Sequence, residues 1–208
     1  MQSKEAFEFC DKGSSLILSA PHATRSVLNG KERISDKYTG ALVRLLGEQN
    51  NLSTLIRVKC SQEEETIAAY VSQKSLQNHY FLDIHGFDKD IGQDICLGIG
   101  KLFEQKNVPF LNRLLEIAEK FGIKTVVNHP KYVGAHGFAG QYQALFHAPN
   151  VIQVELGPSL RNFYDCFSTV EKITIPFFNE VIACYQKHAC PDKDFLNKRL
   201  FFEKQTLV

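Results

Sequence analysis

The chain has 208 residues, 44% of them hydrophobic and 23% charged, with a formal net charge of +1 at pH 7. That length builds one full hydrophobic core and leaves too little for a second, so a single domain spanning residues 1–208 is expected. The near-neutral charge, with no Lys/Arg block, excludes the footprint of a nucleic-acid binder, and no run approaches the ~20 apolar residues of a membrane span.

The opening stretch, MQSKEAFEFCDKGSS, lacks the basic start and apolar run of a secretory signal, so a cytoplasmic protein is expected. Strand candidates then recur along the chain: SLILS (15–19), TLIRV (54–58), YFLDI (80–84), DICLGI (94–99), IKTVV (123–127) and VIQVEL (151–156). All are short and rich in β-branched or aromatic residues. Between the first two, SDKYTGALVRLLGEQN starts with a capping residue at Ser35 and places Tyr38, Leu42, Leu45 and Leu46 on one helical face. NVPFLNRLLEIAEKFG is a second helix: Asn107 caps, Pro109 suits the first turn, Leu111, Leu114, Leu115, Ala118 and Phe121 form the stripe, and Gly122 stops it. A third, STVEKITIPFFNEVIACYQKHA, opens with a capping box from Ser168 to Glu171 and meets Pro176, which should kink or divide it.

Strands separated by helices of this length imply crossover connections, hence an α/β fold: a central, mostly parallel or mixed sheet in a three-layer α/β/α arrangement. The stretch 128–150 holds three glycines and no sustained period, which reads as a long loop or hairpin. The final residues mix charged and apolar side chains and leave a contact with a second subunit open. Six cysteines (Cys10, Cys60, Cys96, Cys166, Cys184, Cys190) form no C-x-x-C pair, so reduced, mostly buried thiols are expected and any metal must use His and carboxylate ligands.

Active sites of open α/β sheets gather beyond the C-terminal strand ends. There the first strand displays His22 and Arg25, the third Asp83 and His85, and the last Glu155 and Arg161. A lone His at a strand end usually bonds to a loop or faces water, but two imidazoles with a carboxylate from a third strand match a recurring catalytic zinc arrangement. In HGF, Gly86 relieves crowding where the backbone passes the site. The acidic candidates near His22 are Glu32 and Asp36. Asp36 belongs to the first turn of the expected helix, and a cap or dipole partner is its routine alternative. Glu155 is flanked by apolar residues on a central strand, which suits either an internal ion pair or a proton shuttle with a raised pKa. No cysteine lies beside a candidate His, which disfavours a cysteine hydrolase.

The ordered set SAPHATR, SD, LDIHG, a glycine-bearing loop with His136, and VIQVELGPSLR resembles the N-formylglutamate amidohydrolase family, within the wider group of zinc-dependent exopeptidase-like hydrolases. The resemblance runs from about His22 to Arg161 and implies their zinc-exopeptidase-like fold. It also implies one zinc ion per chain on His22, His85 and Asp36, with Glu32 as the fallback ligand, and Glu155 as general base. Arg25 would then stabilise the oxyanion, Arg161 would clamp a substrate carboxylate, and His136 would orient the substrate under a closing glycine loop. One departure stands out: the Asp-x-Asn-Arg element of family members is replaced here by IRVKCSQEEE, which leaves Arg57 as the nearest substitute for its substrate-binding arginine. The implied activity is hydrolysis, by metal-activated water, of the amide bond of an N-acyl amino acid or a γ-glutamyl compound. The expected partner is a carboxylate-bearing small molecule or short peptide, with no nucleic acid and no membrane. A carboxypeptidase-type exopeptidase on short peptides and a noncatalytic small-molecule-binding protein of the same fold stay open as alternatives.

Overall fold

The computed structural model describes residues 6–62, 79–88, 90–100, 108–134 and 151–189. Its centre is a seven-stranded sheet in the order β1-β5-β2-β6-β9-β7-β8, built from β1 (Phe7–Cys10), β2 (Leu16–Ala20), β5 (Ser53–Arg57), β6 (Tyr80–Gly86), β7 (Ile95–Gly98), β8 (Thr125–Val127) and β9 (Val151–Leu156). The pairs β2–β5, β2–β6, β6–β9 and β7–β8 are parallel, while β1–β5 and β7–β9 are antiparallel. The mixed, mostly parallel sheet is the one the strand pattern implies, and all six expected strands are present within two residues of their expected ends. The sequence reading lacked β1, which closes one edge, and a separate hairpin of β3 (Ser26–Leu28) and β4 (Lys31–Arg33).

Side chains alternate across a strand, and here the alternation divides core from site. Leu16, Leu18 and Ala20 of β2, Leu82 and Ile84 of β6, and Ile152, Val154 and Leu156 of β9 share one hydrophobic cluster with residues of three helices. These are α1 (Thr39–Gln49), α2 (Val108–Lys120) and α3 (Ile175–Ala189), and they pack against one another and against this face. The described helices therefore form one layer. The intervening residues Ser19, Asp83, His85, Gln153 and Glu155 point to the opposite face. Register then aligns them: Ser19 pairs with Asp83, Asp83 with Gln153, His85 with Glu155, and Glu155 with Cys96.

Helix ends correct two expectations. The first helix begins at Thr39, not after Ser35, and Tyr38 precedes it in the left-handed region at φ 70°. Asp36 thus lies in the turn ahead of the helix, where its carbonyl accepts from the Thr39 hydroxyl at 2.8 Å and its N–H donates to the His22 carbonyl at 2.8 Å. The helix α2 ends as read: Gly122 takes φ 68° and the Ile123 N–H returns to the Ala118 carbonyl at 2.9 Å. Asn107, its expected cap, lies outside the described residues. Ahead of α3, a turn at Phe167–Thr169 leads into a π-helical stretch, Val170–Thr174. Pro176 lacks the N–H that would bond back to Lys172, and the wider π turn absorbs the mismatch, so the helix continues past the proline. The capping box at Ser168 is not formed, since the helical turn starts at Phe167 with no side-chain cap.

Among the described residues no helix is long and apolar enough to cross a membrane. The cysteines there form no disulfide; Cys96 is buried, but Cys10 and Cys60 are exposed, which corrects the expectation of mostly buried thiols. Cys190 lies outside the described residues.

Candidate active site

The parallel strands β2 and β6 end at the same edge, which brings the His22 and His85 rings to a centroid distance of 4.9 Å, nearly perpendicular to one another. Between His22 and Asp36 the chain leaves through the β3–β4 hairpin and comes back. Its two-residue turn, Asn29-Gly30, has φ of 50° and 72°, the positive pair that a tight hairpin turn demands. The returning chain delivers the Asp36 carboxylate to both imidazoles: its Oδ2 lies 3.6 Å from His22 Nδ1 and 3.3 Å from His85 Nδ1. One ligand atom from each of His22, Asp36 and His85 falls within 4.8 Å of the others. Donors bound to zinc at 2.0–2.2 Å in a tetrahedron are about 3.4 Å apart, and the two carboxylate–imidazole separations, 3.6 and 3.3 Å, match that spacing.

The far side of His85 supports the same assignment. Its Nε2 bonds to Asp83 Oδ2 at 2.9 Å, and Asp83 Oδ1 accepts from the Ser19 hydroxyl at 2.8 Å. Asp83 is fully buried. A carboxylate behind a ligating histidine fixes the ring and leaves the opposite nitrogen, here Nδ1, as the metal donor. Charge follows this geometry. Burial alone would lower the proton affinity of His85, but the Asp83 charge and the bonds to Asp36 and Asp83 outweigh it and hold the pKa well above the usual value. Burial would likewise raise the Asp36 carboxyl, yet hydrogen bonds from His22 and His85 hold it well below the ordinary range. For His22 burial wins over the bond to Asp36, and its pKa is lowered.

Glu155 stands one strand over, in register with His85, and is 6% exposed. Burial raises its pKa, opposed by the nearby His85 and by the Gln153 amide, which donates to Oε1 at 2.6 Å. These residues line a cleft of about 270 Å³ together with Arg33, Lys131 and Tyr132.

Two residues expected at the site are not there. Arg25 is 64% exposed and reaches Glu32 at 3.4 Å on the adjacent hairpin, because β3 carries the chain away from the cleft immediately after it. Glu32, the fallback ligand, is spent on the same exposed pair. Arg161 is buried and braces the backbone: Nε donates to the Leu156 carbonyl at 3.2 Å, one nitrogen to Lys37 at 2.6 Å, and the other to Phe87 at 3.2 Å and to the Asp88 carboxylate. The 3-10 turn Pro158–Leu160 folds it back beneath the strand end. Its guanidinium lies where a Cβ on Gly86 would stand, so the glycine is needed for Arg161 to pass, and the three carbonyls it holds are within two residues of Asp36, His85 and Glu155 in the chain. Arg57, the substitute arginine, is buried too, donating to the Pro21 carbonyl at 2.7 Å and to Ser61 and stacking 4.5 Å over Phe7. His136 lies outside the described residues.

The sequence reading did not single out Arg33, Lys131 and Tyr132. Arg33 ends the hairpin that the Asn29-Gly30 signal marks. Lys131 and Tyr132 occupy a tight turn after β8, where the Tyr132 N–H donates to the His129 carbonyl at 2.7 Å and the Tyr132 ring stacks on Phe87 at 5.7 Å. Burial and the nearby Glu155 raise the Tyr132 pKa, which keeps its hydroxyl a donor.

No protein-family model matches the sequence, and no curated protein matches it. The fold has solved counterparts. A bacteriophage poly-γ-glutamate hydrolase is 15% identical with a TM-score of 0.54, covering 91% of each chain. N-formylglutamate amidohydrolase from Ralstonia eutropha JMP134 is 13% identical at a TM-score of 0.56, covering 89% of this chain and 99% of its own. The zinc-free form of YndL is 17% identical at 0.53, covering 89% and 92%. At these identities the likeness establishes a shared fold.

Proposed function

We propose that the protein is a zinc-dependent amide hydrolase acting on an N-acyl amino acid of the N-formylglutamate kind or on a γ-glutamyl compound. The observation that carries this reading is the convergence of His22, Asp36 and His85 donor atoms within 4.8 Å, in a cleft shared with the buried carboxylate Glu155. Two of the proteins that share the fold bear the names N-formylglutamate amidohydrolase and poly-γ-glutamate hydrolase, which favours an amide substrate.

His22, Asp36 and His85 would hold the ion, with Asp83 orienting His85 from behind. When bound, zinc supplies Lewis acidity and brings the ionisation of water toward neutral pH. The remaining steps belong to the chain. Gln153 fixes Glu155 Oε1, so the second oxygen takes the proton from the attacking water and passes it to the leaving amide nitrogen. The raised pKa of Glu155 suits both transfers, since a base poised nearer neutrality also acts as an acid. Tyr132, in place of Arg25, donates its hydroxyl proton to the oxygen on which negative charge develops.

The test is metal content of the untreated protein together with hydrolysis of N-formylglutamate and γ-glutamyl peptides. One zinc per chain, with turnover lost in Glu155→Gln while zinc is retained, is the expected result. Zinc-loaded protein that binds such compounds stoichiometrically and turns none over would replace this reading with the noncatalytic one.

A further inference from the structure

We infer that Tyr38 is a positioning residue of the metal corner: its left-handed backbone orients the peptide that Arg161 grips and thereby holds the Asp36 carboxylate against the two imidazoles. The inference rests on the reading of His22, Asp36 and His85 as metal ligands and concerns how Asp36 is kept in place.

Tyr38 stands out by its backbone. Among the described residues four that are not glycine have positive φ, and three of them, Asn29, Asn51 and Asn128, are asparagine, which visits this region readily. Tyr38, at φ 70° and ψ −10°, is the exception, and a bulky side chain is strained there. Its place in the chain shows what the strain maintains. The Thr39 N–H donates to the Asp36 carbonyl at 3.3 Å, and the Thr39 hydroxyl donates to the same oxygen at 2.8 Å, so residues 36–39 form a closed turn with Tyr38 third. The angles at Tyr38 are those of a type II turn, where glycine is the usual occupant.

Type I and type II turns differ in the orientation of their central peptide: changes of about 150° in ψ at the second residue and about 170° in φ at the third turn it almost half a circle. Here that peptide joins Lys37 to Tyr38, and its carbonyl accepts from Arg161 at 2.6 Å. An ordinary negative φ at Tyr38 would flip the peptide and point the carbonyl away from the buried guanidinium. The Arg161 bond and the left-handed residue thus require each other. Two residues on from Arg161, the Phe163 ring lies 6.5 Å from the Tyr38 ring, so one segment grips the turn at both its peptide and its side chain.

The flanks of the turn are fixed to the His22 side. The Asp36 N–H donates to the His22 carbonyl at 2.8 Å, and a Cβ on Gly40 would stand 2.8 Å from the Ala23 Cβ, so the helix start is pressed against the residue after His22. With both ends anchored, the flip of the middle peptide is the freedom the turn retains, and Tyr38 sets it. Asp36 opens this turn, so the flip is felt at the carboxylate that stands 3.6 Å and 3.3 Å from the imidazole nitrogens.

The experiment separates backbone from ring. Tyr38→Gly, Tyr38→Asn, Tyr38→Ala and Tyr38→Val all delete the ring, and they stand in that order of tolerance for a left-handed backbone. Zinc affinity of each folded protein is measured by competition with a chromophoric chelator, and stability of the metal-free form by denaturant unfolding. The glycine and asparagine variants should keep wild-type affinity to within about a factor of three, whereas the alanine and valine variants should lose about tenfold or more. A purely structural Tyr38 would shift the unfolding midpoints and leave the zinc affinity of the folded protein unchanged across the series, which overturns the inference. A loss common to all four also overturns it, since that loss would belong to the ring. If the valine variant does not fold, the alanine variant against the glycine and asparagine variants decides. Wild-type protein that takes up no zinc overturns the metal corner and this inference together, whereas zinc-binding wild type with four equal variants overturns the inference alone.

Discussion

Arg161→Met separates a substrate clamp from a structural brace. Methionine removes the guanidinium but keeps much of the apolar stem, so the loss falls on the bonds. The Leu156 carbonyl retains the Phe87 N–H at 3.1 Å and loses little. Phe87 is 4% exposed, and its carbonyl forfeits a charge-assisted bond with scant water to replace it, roughly 2–3 kcal/mol. The Lys37 carbonyl belongs to an exposed residue and costs about 1 kcal/mol, and Asp88, 72% exposed, adds between 0 and about 1 kcal/mol. The sum, about 3–5 kcal/mol, is a large part of an ordinary domain's stability and corresponds to a melting temperature lower by roughly 10 °C. Because the three carbonyls lie within two residues of Asp36, His85 and Glu155 in the chain, affinity for the proposed zinc should also fall about tenfold. Denaturant unfolding and competition against a chromophoric chelator measure the two effects. A variant with wild-type stability and zinc affinity but a greatly raised KM for acidic substrates would refute the brace and restore the clamp.

Asp83→Asn should leave the sheet folded and weaken zinc binding about 10–100-fold, read by the same competition, since the amide no longer enforces the proton on His85 Nε2. In metal-free protein His85 and His22 contribute opposite pH dependences on either side of about 6.5, the ordinary His value. His85, with its raised folded pKa, stabilises fully below about 6.5 and loses that contribution as pH rises through the folded value, whereas His22, with its lowered pKa, loses its contribution as pH falls below about 6.5. On the proposed assignment zinc takes the place of the proton on His85, so melting temperatures from pH 6.5 to 9 should decline without the metal and hold with it; equal slopes would contradict the assignment. Thr174→Val should stabilise by about 1 kcal/mol in thermal unfolding, because the buried Thr174 hydroxyl has no partner among the described residues and valine fills the same space.

The sheet was legible in the sequence because each strand is a short apolar run, and the cleft because three such runs end in His22, His85 and Glu155, whereas Asp36 comes from a turn. Two features escaped for reasons of scale. The strand β1 is four residues long and only Phe7 is buried, so FEFC presents no run to detect. The β3–β4 hairpin has three residues per strand, and its signal is the Asn29-Gly30 turn alone. The residues returning from this hairpin resemble a first helical turn in sequence, which is why Ser35 reads as a cap while the helix starts at Thr39.

The misplaced arginines show where reading along the chain fails. Arg25 follows His22 by three residues, and Arg161 follows Glu155 by six, so both are near the site in sequence. Nearness along a chain fixes distance but not direction, and direction is set by what comes next. After His22 the chain turns into a solvent-facing strand, and after Glu155 a 3-10 turn reverses it under the sheet edge. Asp83, Gln153 and Ser19 are the opposite case: a strict period of two places them on the site face whatever the loops do, so their positions follow from the registers Ser19–Asp83 and Asp83–Gln153. Of the proposed ligands His85 and its partner Asp83 are on a strand and readable in this way, whereas His22 lies just past a strand end and Asp36 in a turn. Arg33 and Lys131, which line the same cleft, sit on a hairpin and a turn, and only the three-dimensional path of the chain brings them there.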